Sequence, residues 1–167
     1  MSNFLFSILM IYCASSFKSN ASVDIASIRI LFQKAVSDEK ACKQMIHLLA
    51  PYDEKKPLLL GYRGSATMVM AKHIFNPFSK LSYFKKGKQM LESAINSDNK
   101  NFELRFLRFI AQTNMPSFLG YNNDIKNDKE YILNNYLYIK EMGLKEFVLP
   151  SLKKSKYLTN SEKDQLE

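Results

Sequence analysis

The sequence predicts an all-α protein of antiparallel helical hairpins, and three observations predict it. Apolar residues recur at spacings of three and four along most of the chain, and no alternating apolar–polar run is long enough to compete. Only five Gly and five Pro interrupt 167 residues, too few for the turns of a β-sandwich or barrel. The composition, 46% apolar and 24% charged, is that of a single globular domain long enough to bury a core. Trp is absent, so Phe, Tyr and Met supply the bulk of that core.

The first segment has its own logic. Residues 4–14, FLFSILMIYCA, form an apolar run of eleven. A bilayer span needs about 20 residues, but this length suits the core of a secretory signal. Ser19-Asn20-Ala21 is a small-x-small cleavage site, and a cut after Ser16 is the next choice. Residues 1–21 are therefore expected to be a signal peptide, 22–157 one helical domain and 158–167 a polar tail. Export to a periplasm or cell envelope follows, against the alternative of a cytoplasmic chain that keeps the run as a core helix. The n-region holds no Lys or Arg, and lipidation at Cys13 would meet Tyr12 where a small residue is wanted. Cleavage would leave Cys42 without an internal disulfide partner, and its helical neighbours suggest burial.

From Val23 the helices follow in order. Ile25, Ile28, Leu31, Phe32 and Ala35 share one face. Ser37 is the expected N-cap of a second helix carrying Ala41, Cys42, Met45, Ile46 and Leu49 inward, with Asp38 and Glu39 favourable in its first turn. Pro51 stops it, and Pro57 opens a third helix to about Phe75, apolar nearly all round. There Gly61, Gly64, Ser65 and Ala71 fall in one sector, which allows a neighbouring backbone to approach closely and makes this helix central. Asn76-Pro77 pairs a cap with proline at the first helical position, starting a fourth helix to about Ser97. Asn101 caps a fifth helix ending at Met115-Pro116, and a loop containing Gly120 follows. Asp124 opens a sixth, with Gly143 expected as its C-terminal cap. Residues 144–156 read as helix interrupted near Pro150, and Thr159 with Glu162 reads as a capping box.

Gly87, Leu91 and Ala94, followed by Asp98-Asn99-Lys100-Asn101, resemble the second helix and exit turn of a tetratricopeptide repeat, with Asn99 where that turn carries proline. The resemblance covers about one half-repeat, residues 87–101. It implies a tetratricopeptide-like α-solenoid or irregular helical bundle, and a role as a binding platform.

The segment 102–121, FELRFLRFIAQTNMPSFLGY, holds the main candidate site. Arg105, Arg108 and Gln112 fall within about 60° at 100° per residue, a narrow polar stripe on a helix otherwise wrapped in large apolar residues. The guanidinium groups would line a groove, meet buried acceptors, or form a plain solvated stripe. In the groove reading Arg105 and Arg108 hold an anion or a partner's carboxylate, Gln112 orients it, and Phe118 and Tyr121 flank it. Tyr62 and Arg63 are second-rank candidates.

No cofactor or metal is expected. His47 and His73 lie on separate helices without metal-ligand spacing, and 61–64, GYRG, lacks the strand context and Lys-Ser/Thr of a phosphate loop. The net charge of +8 reads either as a lysine-rich solvated surface or as the mark of an anionic partner. The leading expectation is an exported, non-enzymatic binding or assembly module of the cell envelope, with a helical groove for a protein partner. One alternative is a small anionic-ligand site or enzyme centred on Arg105 and Arg108. Another is a basic protein for an anionic polymer or membrane surface, touched by Lys153, Lys154 and Lys156. Export argues against nucleic acid, for which Tyr83 to Lys88 is the nearest match. The oligomeric state is left open.

Overall fold

The computed structural model describes residues 23–166. The signal-peptide expectation and Cys13 lie outside the described residues. Eight α-helices make up the described chain: α1 (Ile25–Ala35), α2 (Glu39–Leu48), α3 (Pro57–His73), α4 (Pro77–Ser97), α5 (Phe102–Asn114), α6 (Ile125–Tyr136), α7 (Met142–Lys154) and α8 (Asn160–Asp164). A single 3-10 turn, Ser117–Leu119, lies between α5 and α6, and the described residues contain no strand. The protein is all-α.

Local chemistry sets most boundaries. Asp24, Asn76 and Asn101 each accept backbone N–H bonds from the first turn that follows, and Pro77 needs no partner for the N–H it lacks. Thr159 and Glu162 form the full capping box. The cap of α2 is Asp38 rather than Ser37: its carboxylate accepts from Lys40 N and Ala41 N. Gly143 lies inside α7, not at the end of α6, which closes at Tyr136. α7 runs unbroken through Pro150. Glu146, whose carbonyl loses its helical donor there, is exposed with Pro150, so solvent access replaces the missing bond. The segment expected as a polar tail carries α8, and Leu158 and Leu166 on either side of it are buried.

α3 is the hub. It packs against α1, α2, α4 and α5, and its buried residues run from Leu60 to Met70. The small-residue sector meets α4 in antiparallel register. A Cβ on Gly64 would stand 2.7 Å from Leu91 N, and one on Gly87 would stand 2.5 Å from Gly64 O. The two backbones touch where no side chain fits. Phe32, Tyr62, Phe106 and Phe147 then form an aromatic cluster joining α1, α3, α5 and α7, edge-to-face except for the tilted Tyr62–Phe147 contact, with ring centroids 5.5–6.5 Å apart.

Cys42 is fully buried against this core, and its thiol donates to the Ala66 carbonyl at 3.2 Å. Burial, with a smaller effect of the Glu39 charge, pushes its pKa up to about 11. In a Cys13→Ser background the folded protein should therefore resist alkylation at pH 8 and react only once urea unfolds it. Rapid stoichiometric labelling without denaturant would contradict the burial.

Candidate functional site

α5 gathers the buried charge of the protein and does so on two sides. On one side the predicted polar stripe faces α6 and α4. Arg108 Nε donates to Asp128 Oδ2 at 2.7 Å and Nη2 to Asp128 Oδ1 at 2.9 Å, a bidentate pair. Its Nη1 reaches Glu92 Oε2 at 3.0 Å, and Asp124 lies 3.6 Å away. Arg105 Nη1 donates to the same Asp128 Oδ1 at 2.8 Å, while its Nε binds the Asn99 carbonyl at 3.0 Å and the guanidinium covers the Tyr131 ring. Gln112 holds Asp124 from both ends, donating to its carboxylate at 3.3 Å and accepting its backbone N–H at 3.2 Å. Asp124 therefore opens α6 without capping it through its side chain. Tyr121 O–H donates to Glu92.

The sequence-derived residues Arg105, Arg108, Gln112 and Tyr121 are thus brought together, and the guanidinium groups meet acceptors within the chain. Asp128 is 0% exposed and Arg108 6%. Burial pulls the Arg108 pKa down, but hydrogen bonding to Asp128 and the charges of Asp128, Glu92 and Asp124 outweigh it, so the net direction is up. Two cations face three carboxylates, leaving the cluster with one excess negative charge. An incoming anion would have to displace one of those carboxylates. Burial and the hydrogen bond to Glu92 also raise the Tyr121 pKa, keeping the phenol protonated.

The opposite side of α5 presents Glu103, 2% exposed, to α1 and α3. Arg29 clasps it with Nε to Oε1 and Nη2 to Oε2, both at 2.7 Å. Tyr62 O–H donates to the same carboxylate, and Arg29 also bonds Glu141 in the turn before α7. The hydrogen bond from Arg29 holds the Glu141 carboxyl below its ordinary value. This second cluster includes the sequence-derived Tyr62 but not Arg29, Glu103 or Glu141. Its signal lay in the pattern: Arg29 falls four residues after Ile25 on the apolar face of α1, and Glu103 is the lone acid among the apolar positions of α5.

The other two candidates stand apart. Arg63 Nη1 donates to the carbonyls of Ala50 and Tyr52 at 2.7 and 3.0 Å, fastening the α2–α3 connection beside an open cleft of about 400 Å3. Phe118, in the 3-10 turn, is 84% exposed. Gly120, at φ 60°, reverses the chain just after it and lets Tyr121 return to stack edge-on against Phe84 of α4. Among the described residues no group of three His, Cys, Asp or Glu is placed to hold a metal ion, and no helix is long and apolar enough to cross a membrane. No protein-family model, curated protein or solved structure matches the chain.

Proposed function

We propose that the protein is an exported, non-enzymatic binding or assembly module of the cell envelope that docks a protein partner on its helical surface. The carrying observation is that large apolar side chains stand in solvent on the two stretches that the Arg29–Glu141 pair joins. Ile30 is 68% exposed, Leu137 63%, Tyr138 80% and Met142 69%. Ile30 follows Arg29 and Met142 follows Glu141, so the ion pair draws the two stretches together. Apolar residues on a rigid frame, rimmed by charge, have the make-up of a partner interface. The packing of Gly87, Leu91 and Ala94 of α4 onto α3, with the Asp98–Asn101 turn into α5, supports a tetratricopeptide-like platform.

A photo-crosslinking residue at Tyr138, expressed in the native host, tests the reading. A discrete adduct in the envelope fraction is expected, lost on Leu137→Asp with Met142→Asp and absent when the crosslinker sits at Ser161. Failure to form the adduct, or an adduct indifferent to the aspartates, would reject it.

A further inference from the structure

The charge of this protein is segregated in a way its total conceals. Of 24 Lys and Arg residues, eight lie within residues 55–91, which contain no Asp or Glu at all; the other 16 are matched by 16 acids elsewhere. An excess equal to the whole net charge of +8 thus lies between Lys55, just before α3, and Leu91, in the second half of α4. Acids near that stretch are engaged: Glu39 pairs with Lys43 at 2.6 Å, Glu54 accepts from Ser93 of α4 at 3.0 Å, and Glu92, further along α4, pairs with Arg108 and accepts from Tyr121.

The same hairpin ends in bare aromatic rings. Phe75 is 100% exposed and Phe78 83%, on either side of Asn76-Pro77. The tip is rigid, because the Asn76 side chain accepts from Ser79 N and Pro77 fixes the first helical residue. Phe78, Leu81 and Lys85 recur at three and four along the outer face of α4, and Leu81, Lys80, Lys85 and Lys86 are all exposed. Because α5 runs back along α4, the turn carrying exposed Phe118 is level with the first turns of α4, where Tyr121 meets Phe84.

We propose that the α3–α4 tip is an interfacial anchor for an anionic lipid bilayer, with Phe75 and Phe78 entering the headgroup–acyl boundary and Lys80, Lys85 and Lys86 on the lipid phosphates. Charge complementarity selects this occupant. Aromatic rings at the extremity supply apolar insertion, and a stretch without acids from Lys55 to Leu91 supplies attraction that reaches over about a Debye length. An acidic protein would satisfy the lysines but give two projecting rings no shared plane to enter. The site is distinct from the partner surface around Tyr138 and stands or falls separately.

The test uses the full chain and vesicles of phosphatidylglycerol with phosphatidylcholine, against pure phosphatidylcholine. The chain has no Trp, so Phe78→Trp introduces a single reporter at the tip. Its emission should shift to the blue on adding anionic vesicles and stay at the solvent value with zwitterionic ones. Co-sedimentation should weaken at least about tenfold for Phe75→Ser with Phe78→Ser, and by roughly fivefold for each lysine neutralised among Lys80, Lys85 and Lys86. Because these side chains are exposed, helical circular dichroism should match wild type in every variant. Sedimentation without a Trp shift would place binding on another segment and overturn the proposal. Equal binding to both vesicle types, or binding to polyglutamate but not to vesicles, would overturn it as well.

Discussion

Substituting Gly87 with alanine is expected to destabilise the protein by about 3 kcal/mol, at the upper end of the cost of overpacking a filled core. A methyl group there would meet Gly64 O at 2.5 Å and Met68 N at 2.6 Å. Both are backbone atoms of α3, so relief requires the two helix axes to part along the longest contact in the fold. Alanine's gain in helix propensity, about 1 kcal/mol, does not offset this. Gly61→Ala is the internal control, since its close contact is the flexible Leu104 Cδ2, which can rotate away. Urea midpoints decide the matter: equal midpoints for the Gly87 and Gly61 variants would mean that α3 and α4 are not in backbone contact.

Removing the Asp128 carboxylate should cost about as much, by a different route. Asp128→Ala leaves Arg105 without its side-chain acceptor and takes two bonds from a 6% exposed Arg108. Breaking a buried pair in this way typically costs about 3–5 kcal/mol, and Glu92 and Asp124 remain beside Arg108 to hold the loss near the lower figure. Measured in a double-mutant cycle with Arg108→Ala, the two changes should together cost less than their sum. Strict additivity would show that the side chains do not meet in solution.

These two sites mark what the sequence made legible and what it withheld. Helical spacing, the Asn76-Pro77 junction and the small-residue sector of α3 were readable because each depends on residues close along the chain. Arg105, Arg108 and Gln112 were readable as a stripe for the same reason. Their acceptors were not, because Asp128 comes from another helix and its position in α6 looks like an ordinary favourable charge in a first turn. Gly143 and Pro150 misled for a related reason: each has a strong local preference, and packing of Leu144, Phe147, Val148 and Leu152 carried the helix through both. The apolar exposure of Phe75 and Phe78 was equally hidden, since a phenylalanine beside a helix start ordinarily reads as core.

Arg29 carries a consequence for the order in which the fold is assembled. It lies on α1, yet its partners are Glu103 and Glu141, separated from it by 74 and 112 residues. A chain emerging from its N-terminus can form the α1–α2 hairpin early and the α3–α4 hairpin soon after. The guanidinium is covered by α5 and by the Glu141–Gly143 stretch, the same segments that bring its two carboxylates, so burial and counter-charge arrive together. The first helix thus takes its counter-charges from α5 and from the turn before α7, and its native pairing is complete only when the last third of the chain is in place.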